Sequence, residues 1–272
     1  MGYGLTYTPY NTNLFLDARG INPDAAAFIT AAGITDPTQI SAINTLVNGL
    51  QADGLWTKMK AIYPFVGGTA TTHKYNLKDP RDLDAAFRLV FNGGWTHSST
   101  GATPNGTNGY ADTKLNPLSV LTQDSTHLSF YSRTNALNPA GSPHSMGASN
   151  ALTLFRMVMA RFDNFAAYES NTGGLLWDVA TTTLGYFNTT RTASNLSKVY
   201  RNGTTLTTKT TASNGTVNLP MYIGARNDSG LVNGYDTKQC AFSSIGDSLS
   251  DTEASNLYTR VQTYQTALSR QV

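Results

Sequence analysis

The spacing of apolar residues predicts helices in the first seventy residues. Asn22-Pro23-Asp24 combines a capping side chain with a first-turn proline, and an apolar run follows until Gly33, a residue that readily ends a helix. After Asp36-Pro37, apolar side chains recur every three or four residues, as one face of a second helix requires, at Ile40, Ile43, Leu46, Val47 and Leu50. We therefore predict an irregular leader and a helical N-terminal subdomain over residues 1–70, with residues 55–63 prolonging the second helix or starting another.

From Thr71 onward, short apolar or alternating runs separated by turn residues replace the helical spacing. Such runs are typical of strands in stacked antiparallel sheets. The best local signal is Asn202-Gly203 between two alternating runs, because these residues adopt the positive φ angles of a tight hairpin turn. The candidate strands are residues 86–91, 127–132, 152–162, 165–169, 175–179, 196–200, 204–208, 221–223 and 239–242.

The C-terminal residues return to helical spacing. Ser250 and Glu253 form a capping box, and the apolar side chains that follow lie on one stripe at Ala254, Leu257, Tyr258, Val261, Tyr264 and Leu268. We expect this helix, residues 250–269, to pack against the sandwich, and the glycine-, serine- and threonine-rich tract 96–108 to be a long loop. The predicted fold is mainly β: an antiparallel jelly-roll β-sandwich over residues 71–272 with a helical N-terminal subdomain and a C-terminal packing helix.

Charge and composition exclude several classes of function. The 272 residues carry a net charge of +2, which is far from the basic excess that nucleic-acid binding requires. The single cysteine, Cys240, excludes an internal disulfide. No apolar stretch approaches the roughly 20 residues of a membrane span, and the N-terminus lacks the pattern of a secretory signal. We expect a soluble protein made in the cytoplasm, with no membrane insertion and no nucleic-acid partner.

The segment Gly246-Asp247-Ser248-Leu249 matches the nucleophile motif of a family of serine esterases. In those enzymes an Asp-x-x-His element follows the serine and supplies the base. Here the one such element, which runs from Asp124 to His127, precedes the serine. Ser248 and Ser250 are therefore better explained as the turn and cap that begin the last helix.

Glutamates are scarce, since Glu169 and Glu253 are the only two. Glycosidases place two carboxylates about 5–5.5 Å apart for retention or roughly 6.5–9.5 Å apart for inversion. Because Glu253 is assigned to the helix cap, such a pair would need Glu169 together with Asp163 or Asp178. We expect no catalysis, and the alternative is a glycosidase or depolymerase on a lectin/glucanase sandwich.

The sequence indicates no metal site, although calcium stays open. The four histidines show no i,i+4 pair and no nearby cysteine. The acidic run from Asp79 to Asp84 lacks the glycine and glutamate of an EF-hand, and Asp-Pro followed by acids also opens helical turns. We predict no cofactor; calcium in a lectin-like fold would use loop oxygens such as those of Asn227, Asp228 and Asp236.

Aromatic residues in polar loops are the candidate ligand-binding residues. Sugars have flat apolar faces between hydroxyls, so their binding sites combine exposed rings with amide and carboxylate groups. Trp95, Tyr110 and Tyr235 each lie beside glycine and asparagine or aspartate, and the alternative is that these rings belong to the core. The predicted ligand-binding residues are Trp95, Tyr110, Asn227, Asp228, Tyr235 and Asp236.

Four segments of the second half, taken in order, resemble a known module. They are residues 198–203 (KVYRNG), 222–227 (YIGARN), 241–246 (AFSSIG) and the helix that runs from Leu249 through Glu253 to Val261. Over about residues 80–270 the chain resembles the concanavalin A-like lectin/glucanase (laminin-G-like) sandwich modules of bacteriophage and bacterial surface proteins. Residues 34–60 and 75–107 also resemble the helical front half of phage virion proteins that carry this module.

This resemblance implies a jelly-roll sandwich on the outside of a virion, in a tail fibre, head fibre or decoration protein. The implied partners are other virion proteins and host cell-surface polysaccharide, and the implied assembly is a homo-oligomer, such as the trimer of many fibres. The glutamate pair of the enzymatic branch is missing. We therefore expect a non-catalytic structural protein at the virion surface that mediates assembly and host attachment.

Overall fold

The computed structural model describes residues 20–137, 139–160, 163, 165–174 and 177–272. The predicted leader lies outside these ranges up to residue 19. The described helices are α1 Pro23–Ala32, α2 Pro37–Ala52, α3 Ala70–His73, α4 Pro117–Val120 and α5 Asp251–Ala267. None of the helices within these ranges combines the length and apolarity that crossing a membrane takes.

The three longer helices begin at the capping residues that the sequence predicts. The Asn22 side chain accepts a hydrogen bond from the backbone N–H of Asp24 at the start of α1, and Asp36 caps α2 in the same way. Gly33, with a φ of 66°, ends α1. At the start of α5, Ser250 and Glu253 exchange the two hydrogen bonds of a capping box. The predicted C-terminal helix is confirmed.

Among the described residues, eight strands form the first sheet, which we call sheet I. Their order is β13-β12-β11-β6-β17-β4-β3, and β1 pairs with the C-terminal part of β17. All the pairs in this sheet are antiparallel. The strands are β1 Met59–Tyr63, β3 Trp95–Ser98, β4 Gly101–Pro104, β6 Thr126–Ser132, β11 Gly185–Ala193, β12 Leu196–Arg201, β13 Thr204–Lys209 and β17 Cys240–Gly246.

The described part of the chain contributes nine strands to the second sheet, which we call sheet II. Their order is β10-β9-β8-β7-β14-β5-β2, and the β15–β16 hairpin joins β7 through a parallel pairing. The strands are β2 Val90–Asn92, β5 Tyr110–Asp112, β7 Met146–Ser149, β8 Leu154–Val158, β9 Phe165–Thr172, β10 Trp177–Val179, β14 Tyr222–Ile223, β15 Arg226–Asp228 and β16 Leu231–Asn233.

Two apolar cores divide the molecule into three layers. The first core lies between the sheets and includes Leu128 and Phe130 from sheet I and Phe155 and Met157 from sheet II. The second core lies between the opposite face of sheet I and helices α1, α2 and α5. On the sheet side, the large residues of this core are Tyr131, Tyr186, Tyr200 and Phe242. The predicted mainly β sandwich is confirmed, and the helices cover one of its outer faces.

Residues 55–63 do not prolong the second helix. A short 3-10 turn at Trp56–Lys58 leads into β1, which pairs with β17 from Met59 opposite Gly246 to Tyr63 opposite Ser243. Ala61 contacts the core between the sheets and Ile62 contacts the helical core, so both faces of β1 are apolar. This burial removes the apolar–polar alternation by which a strand is recognised.

Two further predictions about elements are wrong. Most of the predicted strand 86–91 is irregular, because Phe87 has a φ of 59° after a 3-10 turn, and only β2 is extended. The tract 96–108, predicted as a loop, contains much of the β3–β4 hairpin. A Cβ at Gly101 would lie 2.4 Å from the carbonyl oxygen of Cys240, so this glycine allows β4 to approach β17 closely.

Candidate functional site

The outer face of sheet II, which is turned away from sheet I, carries a row of residues that crosses six strands. Directly opposed residues on paired strands point to the same face. The residues that adjoin this row in the sequence, among them Ala111, Met146 and Tyr168, point to the opposite face and contact the core between the sheets. This outer-face row consists of Val90, Asp112, Tyr222, Gly147, Arg156 and Glu169.

Tyr222 and Tyr110 supply the aromatic part of this face, and we call them the tyrosine pair. Their ring centroids lie 4.8 Å apart with the planes inclined by 39°. Both rings are half-buried, so part of each reaches the surface. Burial, with the neighbouring Asp112 and Tyr110, raises the pKa of Tyr222 to about 12. The Tyr222 hydroxyl is therefore protonated at neutral pH and can donate a hydrogen bond.

A carboxylate and an ammonium group lie next to the tyrosine pair. Asp112 is directly opposite Tyr222 on β5, and its Oδ2 accepts a hydrogen bond from Lys114 Nζ at 2.9 Å. Partly exposed rings flanked by hydrogen-bonding groups are the surface that sugar rings bind, because the apolar face of a sugar stacks while its hydroxyls exchange hydrogen bonds. The arrangement can therefore hold a sugar ring against the sheet.

Farther along the row the side chains are charged and buried. Arg156 Nε donates to Glu169 Oε2 at 2.9 Å and Nη2 donates to Oε1 at 3.3 Å. Arg156 Nη1 lies 2.9 Å from His144 Nε2, which must accept because a guanidinium only donates. Burial lowers the pKa of His144, and Arg156 and Arg226 lower it further. The imidazole is therefore neutral, as its acceptor role requires.

The first strand of the β15–β16 hairpin adds a second ion pair to this face. Arg226 Nη2 lies 2.5 Å from Asp228 Oδ2. The Asp228 carboxylate also accepts hydrogen bonds from Ser149 Oγ at 3.0 Å and from Asn233 Nδ2 at 3.2 Å. Burial lowers the pKa of Arg226, with a further contribution from Arg156, and Asp228 opposes this shift. Each of these guanidinium groups thus has a carboxylate partner.

Of the six predicted ligand-binding residues, the structure brings Tyr110 and Asp228 onto this face. Trp95 is half-buried on β3 of sheet I, where its indole Nε1–H donates to the Asn92 carbonyl at 3.1 Å and its ring contacts Phe91 with centroids 5.2 Å apart. This environment matches the alternative in which Trp95 belongs to the core. Tyr235 is half-buried in the segment after β16.

Asn227 and Asp236 are buried, and protein donors and acceptors occupy their side chains. Asn227 donates to the Pro220 carbonyl and accepts from the Gly230 N–H, both at 3.0 Å. Asp236 accepts from Ser145 Oγ at 2.7 Å and from Lys238 Nζ at 3.0 Å. The structure therefore gives both residues a role in holding their loops, in place of the predicted contact with a ligand or calcium.

Sequence reasoning did not select Tyr222. Its signal is the alternation of the segment 221–223, because Met221 and Ile223 both contact the core and the residue between them must point outward. The partner ring, Tyr110, comes from β5, more than a hundred residues earlier in the chain. Only the pairing of β14 with β5 shows that the two rings meet.

The structure does not bring Glu169 together with either predicted aspartate. Asp178 is opposite Ala166, whose side chain faces the core between the sheets, whereas Glu169 lies on the outer face. Asp178 instead pairs with Lys209 at 2.8 Å. Asp163 accepts from the Phe165 N–H at 3.3 Å, and roughly 13 Å of strand separates Phe165 from Glu169. The carboxylate spacing of a glycosidase is not formed by these residues.

The esterase-like motif and its histidine do lie close together. Ser125 Oγ donates to Ser248 Oγ at 3.0 Å, and the Ser248 carbonyl accepts from Lys58 Nζ. His127 bonds instead to the Asp247 carbonyl through Nδ1 at 2.7 Å and to Ser244 Oγ through Nε2 at 3.0 Å. Both nitrogens of this fully buried ring are thus occupied without Ser248. Ser250 caps α5, as predicted.

The acidic run between Asp79 and Asp84 is used in ion pairs. Asp79 binds Arg81 at 2.6 Å, and Asp82 and Asp84 both bind Arg88, at 2.8 and 2.9 Å. Within the described ranges, no group of three or more histidine, cysteine, aspartate or glutamate side chains could hold a metal ion.

Comparison with known proteins gives matches in structure only. No protein-family model and no curated protein sequence matches the chain. Domain 4 of AbnA, a GH43 extracellular arabinanase from Geobacillus stearothermophilus, solved in complex with arabinotriose, is similar with a TM-score of 0.50 and 13% identity, over 74% of this chain and 98% of that domain.

Two other solved structures are similar over parts of longer chains. The receptor binding domain of botulinum neurotoxin C/D mosaic serotype has a TM-score of 0.51 and 10% identity, over 75% of this chain and 51% of its own. A mutant Trypanosoma rangeli sialidase displaying trans-sialidase activity has a TM-score of 0.50 and 11% identity, over 84% of this chain and 39% of its own. At these identities the similarity establishes a shared β-sandwich fold.

Proposed function

We propose that this chain is a non-catalytic glycan-binding β-sandwich protein of a bacteriophage virion, in a fibre or decoration component. The observation that carries glycan binding is the tyrosine pair, two partly exposed rings 4.8 Å apart beside the Asp112 carboxylate. A sugar ring stacks on this pair, and its hydroxyls bond to the Tyr222 hydroxyl and to Asp112.

The ligand in this proposal is a neutral glycan. The cations described on the outer face each have a carboxylate partner: Lys114 with Asp112, Arg156 with Glu169, and Arg226 with Asp228. An acidic sugar would have to compete with these carboxylates for the same donors. The structural neighbours support the general class, since one of them is an arabinanase domain solved with arabinotriose.

The contacts of the two glutamates support a role without catalysis. Glu169 is fully buried against Arg156, so it is held as a carboxylate by two hydrogen bonds to a guanidinium. Glu253 caps α5 and accepts from Lys58 Nζ at 2.7 Å. A general acid needs a raised pKa and contact with the substrate. Burial acts to raise the pKa of Glu253, but Lys58 and the Ser250 cap together outweigh it, so the pKa is lowered.

Placement in a virion rests on the resemblance of about residues 80–270 to phage surface modules, and assembly surfaces on the helical layer support it. A groove of about 520 Å³ lies between α2 and α5 and is lined mainly by small and hydroxyl-bearing residues. Helix α2 has no charged side chain at all. A neutral surface of this kind suits contact with other virion proteins or with further copies in a homo-oligomer.

The glycan proposal is tested by substitutions in the tyrosine pair. We expect the full chain to bind a neutral oligosaccharide on a glycan array, and Tyr222→Ala or Tyr110→Ala to weaken that binding roughly 3- to 10-fold because a stacked ring is lost. Tyr222→Phe, which keeps the ring, should retain most of the affinity. Tyr75→Ala is the matched control, since Tyr75 is a half-buried tyrosine beside the helical core.

Two outcomes would contradict this proposal. Equal binding by the alanine variants would place the site elsewhere, and no binding to any glycan at millimolar concentration would leave only the structural role. Release of reducing ends by the wild-type chain, lost in a folded Glu169→Gln variant, would favour the glycosidase alternative. The virion placement is tested separately, by immunogold labelling of intact phage particles with antibodies against this chain.

A further inference from the structure

A buried polar cluster lies on the face of sheet I that is covered by the helices. Asn188 of β11, Ser129 of β6 and Ser244 of β17 are directly opposed on neighbouring strands and are fully buried. Both amide atoms of Asn188, Nδ2 and Oδ1, lack a hydrogen-bond partner, and so does the buried hydroxyl of Tyr186. Buried polar groups are rarely left in this state, because a group that has lost its bonds to water without gaining a protein partner destabilises the fold.

The directions of the hydrogen bonds in this cluster can be assigned. His127 Nδ1 lies 2.7 Å from the Asp247 carbonyl, which can only accept, so Nδ1 carries the proton. Burial lowers the pKa of His127 to about 4, so the ring is neutral and Nε2 accepts from Ser244 Oγ at 3.0 Å. Ser244 Oγ must then accept from Ser129 Oγ at 2.6 Å. The hydroxyl protons of both serines are thus used in these bonds, and the two oxygens can form further hydrogen bonds only as acceptors.

Tyr186 lies on the same face of sheet I as this cluster, because it precedes Asn188 by two residues on β11 and is opposite Tyr131, which follows Ser129 by two residues on β6. Burial raises the pKa of Tyr186, and the side chains of Ser129, Asn188 and Ser244 oppose that rise. By distance and angle, the Tyr186 hydroxyl has no hydrogen-bond partner within the described chain. Polar groups that face one another without bonding directly are commonly joined by a buried water molecule with about three hydrogen bonds.

We propose that this cluster is a binding site for internal water. A water molecule accepts from the Asn188 Nδ2–H or the Tyr186 hydroxyl, and it donates to Asn188 Oδ1 and to a serine lone pair. A bound cation would take only the lone pairs and leave the Asn188 Nδ2–H groups without an acceptor. Water satisfies donors and acceptors together, so it joins β6, β11 and β17 beneath the helical layer.

A crystal structure of the full chain at about 1.5 Å resolution tests this proposal directly. We expect an electron-density peak within hydrogen-bonding distance, about 3 Å, of the Asn188 amide and the Tyr186 hydroxyl. The absence of a peak would overturn the proposal. An anomalous signal from rubidium at this position would also overturn it, since a cation would then be the ligand.

Urea unfolding of two matched variants gives an independent measurement. If water bonds the Tyr186 hydroxyl, Tyr186→Phe should lower the folded-to-unfolded ratio roughly fivefold; if the hydroxyl is buried without a partner, removing it should raise the ratio. Tyr131→Phe calibrates the experiment, because the Tyr131 hydroxyl bonds directly to Gln262 and Val272 and its loss is destabilising in either case. A rise in the Tyr186→Phe ratio would contradict the proposal.

Discussion

Three of the four histidines are buried as neutral rings, and in each of them one ring nitrogen accepts a hydrogen bond. His73 Nε2 accepts from the Gly68 N–H at 3.2 Å, and its Nδ1 bonds to His97 Nδ1 at 2.9 Å. Burial is the main cause that lowers the pKa of His73 to about 3, of His127 to about 4, and of His144 well below its usual value. If any of the three rings gained a proton in the folded chain, its accepting nitrogen would become a donor and the hydrogen bond to that nitrogen would be lost.

These histidines predict that the protein loses stability in mild acid. Their pKa values are lower in the folded chain than the ordinary value near 6.5, so the unfolded chain binds more protons once the pH falls below about 6.5. The stabilisation is complete above that pH and is lost as the pH falls toward 4. Between pH 7 and pH 5 we expect the free energy of unfolding to fall by about 2 kcal/mol for each buried histidine.

Urea unfolding at several pH values measures this loss. His127→Gln removes one group that takes up a proton on unfolding, because glutamine does not titrate. The slope of the unfolding free energy against pH should therefore fall by about 1.4 kcal/mol per pH unit. The same slope in the variant and the wild type would mean that His127 is not neutral in the folded protein.

At the scale of elements, the β12–β13 hairpin is the clearest case of a turn required by its residues. Asn202 and Gly203 have φ angles of 50° and 75°, as the Asn-Gly pair predicts. A Cβ on Gly203 would also lie 2.8 Å from Tyr258 Cδ1 of α5. The turn is therefore constrained by its backbone conformation and by the helix packed over it.

Alanine substitutions can separate these two constraints. We expect Gly203→Ala to destabilise the protein by about 1–3 kcal/mol, since a left-handed conformation and a close contact are both penalised. Gly230→Ala is the matched control, because Gly230 has a φ of 91° in the β15–β16 hairpin but no atom within 4 Å of the added Cβ. Thermal unfolding of both variants measures the difference, and equal losses would show that the contact with Tyr258 relaxes without cost.

Local signals in the sequence predicted the elements whose ends are fixed by a few residues. The caps of α1, α2 and α5 and the Asn202-Gly203 turn are examples. The sequence pattern does not predict β11, the longest of the described strands, because its buried positions include Asn188, Thr189, Thr190 and Arg191. Polar residues buried on both faces of a strand remove the apolar alternation from which strands are predicted.

The candidate site was predictable only in part for a related reason. The sequence contexts of Tyr110 and Asp228 predict ligand contact, but Asn227 and Asp236 have similar contexts and are buried, Asn227 within β15. Short polar side chains bond readily to nearby backbone, so sequence does not show which of them face solvent. The outer-face row depends on strand register between distant segments, which a single sequence does not encode locally.

At the scale of the whole molecule, the helices and sheet I share one core, and the residues near the C-terminus are fixed to it. Arg270 is fully buried near the C-terminus, and its guanidinium donates to the carbonyls of Pro64, Phe65 and Ala241 at 2.7 to 2.9 Å. These bonds connect the segment after β1, the central strand β17 and the residues after α5. The part of the chain predicted as an N-terminal subdomain is thus bonded to the sandwich.

This arrangement predicts that residues 71–272 do not fold alone. A chain that starts at residue 71 lacks β1, which pairs with the C-terminal part of β17, and it leaves large side chains of sheet I without α1 and α2. These side chains are Tyr131, Tyr186, Tyr200 and Phe242. Exposed strand edges and large apolar surfaces cause aggregation. We expect this fragment to be insoluble or to lack a cooperative unfolding transition by circular dichroism, while the full chain unfolds cooperatively.

Co-expression with residues 20–70 as a separate chain should restore solubility, because that segment supplies both the strand and the covering helices. A soluble, cooperatively folded fragment 71–272 would instead support the domain boundary at residue 70 that the sequence pattern predicts, and would mean that the helical core adds little to the stability of the sandwich.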